Sequence, residues 1–185
     1  MPPDGVILYG PPACGKDTVT AELTRLDSAY VYFRKMKTGT GRADGYRMAS
    51  PAEVDRLAQG GQILYENHRY GNRYVVDRPA LDAVLAAGRV PVIHMGQVAG
   101  VRALRRHGGS WLSVLLWCAR DVAAERARNR SLADLDMRLA AWDETAADID
   151  ENGTDDFTLR IDTALTAPGS AAEAIHLARS RGSRR

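Results

Sequence analysis

Cysteine, lysine and long apolar runs are all scarce in this sequence, and each scarcity excludes something. Cys14 and Cys118 are the only cysteines in 185 residues, so no disulfide framework is expected and a reducing compartment is. No apolar run approaches the length that crosses a bilayer, and no basic-then-apolar signal opens the chain; a cytoplasmic protein without a membrane partner is the expectation. The formal net charge is only +2, too small for nucleic-acid binding driven by bulk charge. Lysine is confined to Lys16, Lys35 and Lys37, the remaining positive charge being arginine. Neither a repeat nor a linker divides the chain, which has the length of a single domain, 1–185, able to bury its own core.

What is present is concentrated near the start. Val6-Ile7-Leu8-Tyr9 reads as a buried strand and Val19-Thr20-Ala21-Glu22-Leu23 as a helix. Between them runs Gly10-Pro11-Pro12-Ala13-Cys14-Gly15-Lys16-Asp17-Thr18. A glycine-framed loop between strand and helix, closed by Gly-Lys, is a P-loop. Its backbone N–H groups surround phosphate oxygens, the helix adds the positive end of its dipole, and lysine reaches the β- and γ-phosphates. Gly10, Pro11, Ala13, Cys14, Gly15, Lys16, Asp17 and Thr18 are therefore the expected ATP-binding residues. The residue after the lysine usually offers a hydroxyl to Mg²⁺; here it is Asp17, followed by Thr18. A carboxylate is a good hard ligand, so Asp17 and Thr18 are the metal-ligand candidates.

Downstream, Tyr30-Val31-Tyr32-Phe33 reads as a second strand, and the basic, glycine-rich segment 34–46 as an exposed loop. Ser50-Pro51-Ala52-Glu53 starts a helix through a capping box. Segments 62–68 and 73–76 read as a strand pair around Gly71. Helices follow from Arg78 and Val98, with strands at Val90–Met95, Ser113–Trp117 and Thr158–Asp162. Late helices start near Asp121, near Ala133 (ending near Trp142) and at Ser170, before a frayed tail from Arg179. Alternating strands and helices specify an α/β fold with a parallel sheet covered by helices. The strand pair implies a small inserted acceptor-binding subdomain at about 34–78, interrupting a core of 1–33 and 79–178. Glu66 and His68 share a strand face by period two and make a candidate acceptor wall, and His94 ends a central strand beside the P-loop.

With these residues in this order, the sequence resembles the guanylate kinase-like P-loop phosphotransferases over nearly its whole length. The resemblance implies Mg²⁺ and ATP as cofactors, a small-molecule acceptor, and a helical, arginine-rich lid at about 126–138. By that likeness Arg34 and Lys37, with Tyr46 and Tyr74, hold the acceptor's phosphate. Lys16 and the lid residues Arg126, Arg130 and Arg138 stabilise the transferring phosphoryl group. The family's guanine-reading glutamate falls on Tyr65, with Glu66 one position away. A base-holding Ser/Thr falls on Val76 and an acceptor-site aspartate near Gly96. Each lost polar group costs about 1–3 kcal/mol of base recognition. The Gly-Lys-Asp-Thr loop is also similar to the Gly-Lys-Asp-Ser of ribose bisphosphokinases, whose acceptor is a sugar phosphate. The expectation is thus a kinase of a sugar phosphate, nucleotide or related metabolite other than GMP. A true guanylate kinase and a non-catalytic binding module of this fold remain as alternatives, and oligomeric state is left open.

Overall fold

The computed structural model describes residues 1–41, 43–69, 71–129 and 135–182. Its core is a five-stranded sheet built from β1 (Gly5–Tyr9), β2 (Tyr30–Tyr32), β7 (Val90–Met95), β8 (Trp111–Trp117) and β9 (Leu159–Asp162). The order is β2-β7-β1-β8-β9, every pair being parallel. Parallel strands need cover on both faces, and β1 shows how the sequence provides it. Val6 and Leu8 pack on α1 (Lys16–Leu26) and α7 (Pro168–Arg181) through Val19, Leu23, Ala171 and Ile175. Ile7 and Tyr9 face the opposite side, against α3 (Arg78–Ala86) and α4 (Val98–Arg106) through Leu81, Val98, Val101 and Leu104.

Between β2 and β7 the chain leaves this sheet to build a smaller one, ordered β4-β3-β6-β5. Its strands are β3 (Met36–Thr38), β4 (Arg47–Met48), β5 (Ile63–Arg69) and β6 (Asn72–Asp77), and α2 (Pro51–Gln59) is tied to β6 by the Asp55–Arg73 ion pair at 2.6 Å. The expected capping box is formed: Ser50 accepts from the Glu53 N–H, and the Glu53 side chain accepts from the Ser50 N–H. The expected exposed loop 34–46 is corrected here. It contains β3, whose Lys37 and Thr38 are buried. The Lys37 ammonium lies 5.6 and 5.8 Å from the Tyr46 and Tyr74 ring centroids and donates to the Thr40 carbonyl at 2.7 Å.

Two more expectations need revision. The last lid helix does not stop at Trp142; α6 spans Leu135–Asn152 and follows α5 (Arg120–Arg128). Helix-forming residues continue to Gly153, whose φ of 72° ends the helix as only glycine does without strain. Nor is the tail frayed from Arg179, because α7 runs to Arg181 and Arg179 Nε donates to the Pro3 carbonyl at 2.8 Å. α6 is fastened to the core by Asp148, whose Oδ2 accepts from the Tyr9 hydroxyl and from the Val98 N–H, both at 2.7 Å. Replacing Asp148 by Ala orphans the Val98 donor and loosens Tyr9. A loss of about 2 kcal/mol is expected, read in thermal unfolding as a Tm lower by about 4–8 °C.

Candidate functional site

Three adjoining cavities run along the C-terminal edge of the main sheet, where β1, β7 and β8 hand over to loops. The middle one is the P-loop. Gly15 precedes α1 with φ 96° and ψ 11°, left-handed geometry that suits glycine, and it aims the first turn of the helix into the cavity. A Cβ on Gly10 would collide with the Leu116 carbonyl oxygen, so only glycine lets the loop leave β1 so close to β8. Lys16 bends over the loop and donates from Nζ to the carbonyls of Gly10 at 2.5 Å and Pro11 at 2.8 Å. Cys14 is buried under the loop with its sulfur 3.5 Å from Nζ, as a packing residue.

Asp17 and Thr18, paired as metal candidates, are separated by the first turn of α1. Asp17 faces the Lys16 cavity, and its carboxylate lies 3.6 Å from Nδ1 of His94. Thr18 opens into the neighbouring cavity with Val19, Arg126, Asn129, Thr163 and Pro168. The residues in the Lys16 cavity therefore fit a cation through Asp17 and not through Thr18. Burial, reinforced by Lys16 and Lys35, pushes the His94 imidazolium well below its usual pKa, so the ring is neutral.

The expected lid arginines occupy three different situations. Arg126 is fixed at the Thr18 cavity, donating to the Thr163 hydroxyl at 3.1 Å, the Thr163 carbonyl at 2.6 Å and the Ala13 carbonyl at 3.4 Å. Arg138, on α6, lines both the Lys16 cavity and the third cavity beyond it. Arg130 lies outside the described residues.

That third cavity, of about 520 Å³, is walled by the small sheet and by α6. Strand parity decides which residues reach it. Lys37, Tyr74 and Asn67 stand opposite one another across β3, β6 and β5, and all three line the cavity. Tyr65 and Arg69, two positions either side of Asn67, line it as well. Glu66 and His68 do not, which corrects their placement in an acceptor wall. Glu66 is held on the outer face by Arg73, whose Nε donates at 2.6 Å, and Arg73 reaches on to Asp55 of α2. Those hydrogen bonds keep the Glu66 carboxyl below the usual range. Arg34 is corrected too: it is exposed, and its carbonyl receives the Arg47 side chain, while the neighbouring Lys35 lines both cavities. Tyr46 and Tyr74 meet at 5.3 Å between ring centroids above the Lys37 ammonium.

Sequence reasoning missed Asn72 and Gln97 as lining residues, while Lys35 and Arg69 lie in the basic and polar segments it read as anion and acceptor candidates. Gln97 accepts from the Tyr65 hydroxyl, and burial pushes that phenol up to about 12. The cavity is lined by Lys35, Lys37, Arg69 and Arg138 and, among the described residues, by no carboxylate.

The whole arrangement superposes on the guanylate kinase of Anaplasma phagocytophilum with a TM-score of 0.67 and 17% identity, over 100% of this chain and 88% of that one. The chain has the guanylate kinase-like P-loop fold. A gluconokinase from Sinorhizobium meliloti shares the fold at a TM-score of 0.56 and 18% identity, over 98% of this chain and 96% of that one. In sequence, 114 residues are 31% identical to the guanylate kinase of Streptomyces coelicolor, 57% of this chain and 57% of that enzyme. A stretch of 110 residues is 30% identical to the human leucine-rich repeat and guanylate kinase domain-containing protein, 54% of this chain and 13% of that protein. The chain thus matches little more than half the length of the bacterial relative and a small part of the human one. No protein-family model matches the chain.

Within this guanylate kinase-like frame Lys35 has a measurable signature. Burial, with Lys16 and Arg69 nearby, lowers its pKa from 10.5 to about 8. Between those values the unfolded chain binds more protons than the folded one, so stability rises with pH across that window. Below it the ammonium is charged in both states and the burial penalty is complete. Lys35→Met is expected to raise Tm at pH 7, and its advantage is expected to shrink as pH climbs from about 8 past 10. A pH-independent difference in melting would contradict a buried ammonium.

Proposed function

We propose that the protein is an ATP-dependent phosphotransferase that moves the γ-phosphoryl group of Mg·ATP to a small anionic acceptor other than GMP. The observation that carries this is the line of cavities: a Thr18–Arg126 pocket, the Lys16 loop, then a pocket with four cationic side chains and no described carboxylate.

In this reading the nucleoside of ATP occupies the Thr18–Arg126 pocket, where Arg126 is already oriented by Thr163. The triphosphate follows the loop N–H groups, and phosphate oxygens replace the Gly10 and Pro11 carbonyls as partners of Lys16. Mg²⁺ would be held by Asp17, and it would supply neutralisation of the charge on the phosphates. Lys37, under Tyr46 and Tyr74, grips an acceptor anion. Lys35 and Arg138, shared by the two cavities, sit where charge spreads over the moving group. Phosphoryl transfer asks a protein mainly for positioning and charge neutralisation, which this arrangement supplies.

The lack of a described carboxylate in that lining argues against guanine, whose N1–H and N2–H need acceptors. The base edge of GMP presents N–H donors and calls for acceptors, but Tyr65 stands at the family's reading position and its hydroxyl is spent on Gln97. Glu66 cannot substitute from the opposite face. The 31% identity to a Streptomyces guanylate kinase favours the rival reading, in which GMP is accepted after all.

An acceptor screen by coupled ADP release separates the readings. Sugar phosphates and nucleoside monophosphates are run side by side with Mg·ATP, first on the wild type and then on Glu66→Gln. Turnover with a non-purine phosphate, and an acceptor KM within about twofold in Glu66→Gln, are expected. Turnover with GMP alone would overturn the acceptor assignment, and ATP binding without turnover on any acceptor would favour a binding module.

A further inference from the structure

We propose that Tyr65, Asn67 and Gln97 form a hydroxyl-reading subsite at the far end of the third cavity, which makes the acceptor a phosphorylated polyol held by side-chain amides. The inference deepens the reading of that cavity as the acceptor site and rests on it.

The cavity has two chemically distinct parts. Lys35, Arg69 and Arg138 also line the Lys16 cavity, so they mark the end nearest the P-loop. Tyr65, Asn67 and Gln97 line the third cavity alone, away from the P-loop, and bring no charge to it.

Local geometry places each of the three. At Leu64 the register of β5 on β6 slips by one residue, Ile63 opposing Asp77 and Tyr65 opposing Val76. Such a bulge re-aims the side chains beside it. Leu64 and Tyr65, although adjacent, both pack on the core cluster of Ile7, Leu81 and Val101. Gly100 of α4 makes room for the tyrosine ring. A Cβ there would stand 2.8 Å from Tyr65 Cε1 and 2.9 Å from Met95 Sδ. The Tyr65 hydroxyl donates to Gln97 Oε1. Asn67 follows two residues on, on the same strand face, opposite Tyr74.

Gln97 stands at the N-cap of α4, yet its side chain makes no bond to the helix. The first N–H of α4, at Val98, is served instead by Asp148 of α6 at 2.7 Å. That exchange releases the Gln97 amide to the cavity. With Oε1 holding the Tyr65 proton, what the amide chiefly adds is its NH₂ group, a double donor. Asn67 brings a second amide, and among the described residues no hydrogen bond engages its side chain.

A hydroxyl both donates and accepts, and an amide presents the matching pair side by side. Two amides flanking a tyrosine ring therefore suit neighbouring hydroxyls on a saturated chain or ring. A base would instead call for a slot between aromatic faces. Tyr46 and Tyr74 close on each other at 57°, with centroids 5.3 Å apart, and leave no such slot between them. Tyr65 is pinned against α4 and cannot swing to make one.

The test is calorimetric titration of the full chain with its P-loop filled by Mg²⁺ and a non-hydrolysable ATP analogue. The probes are inorganic phosphate, glycerol 3-phosphate, ribose 5-phosphate, sorbitol 6-phosphate and GMP. At least one polyol phosphate is expected to bind about tenfold or more tightly than inorganic phosphate, and more tightly than GMP. That comparison needs no substitution. In Gln97→Met and in Asn67→Leu the advantage over inorganic phosphate is expected to shrink about threefold to tenfold each, one hydrogen bond's worth. Equal affinity for inorganic phosphate and every polyol phosphate, or tighter binding of GMP, would overturn the hydroxyl subsite while leaving the acceptor cavity standing. An advantage that survives both substitutions would overturn its assignment to these amides. No phosphate-bearing probe bound beside the nucleotide analogue would overturn the acceptor reading itself.

Discussion

The structure depends on how closely the P-loop can leave β1 while staying under the shadow of β8. Gly10 has the Leu116 carbonyl where any side chain would begin, and Gly15 holds a left-handed turn immediately before α1. Those two glycines aim a helix N-terminus and Lys16 into one hollow. From that hollow the other groups take their positions: Asp17 and Thr18 diverge by one helical step, one toward His94 and the other toward Arg126. The donor side of the cleft is thus a consequence of backbone geometry at a single turn, supported by β7 and β8 on either flank of β1.

The acceptor side depends on a different constraint, the parity of β5 and β6. Moving one residue along a strand exchanges its faces, so Tyr65, Asn67 and Arg69 look into the cleft while Glu66 and His68 look out toward α2. Arg73 reinforces the choice by tying Glu66 and Asp55 together on the outer side. The result is a cavity whose described charges are all positive. The concentration of positive charge is a physical property of that wall rather than of the fold.

Much of the frame was legible in the chain because its signals are local. The glycine-framed loop, the Ser50–Glu53 capping box and the apolar β7 each carry their own chemistry and were found where expected. The errors came where a residue's fate depends on a distant partner. Lys35, Lys37 and Thr38 read as loop because lysines are usually solvated, yet aromatic residues from β6 and the 39–46 segment cover Lys37. Tyr65-Glu66-Asn67-His68 is polar on both faces, so alternation marks a strand without saying which side is inward. Arg34 and Lys35 were separable only once β3 was placed. The extent of α6 was available, since nothing before Gly153 breaks the helix; the long polar surface of that helix obscured it.

In the proposed reaction Lys16 stands at the junction of the nucleotide site and the acceptor site. The most direct measurement is calorimetric titration of Mg·ATP into wild type and Lys16→Ala, paired with single-turnover phosphoryl transfer to the acceptor that the wild type uses. Lys16→Ala is expected to keep its fold and Tm, to bind Mg·ATP more weakly, and to transfer the phosphoryl group at least about a thousandfold more slowly. Transfer at an unchanged rate in Lys16→Ala would contradict that role.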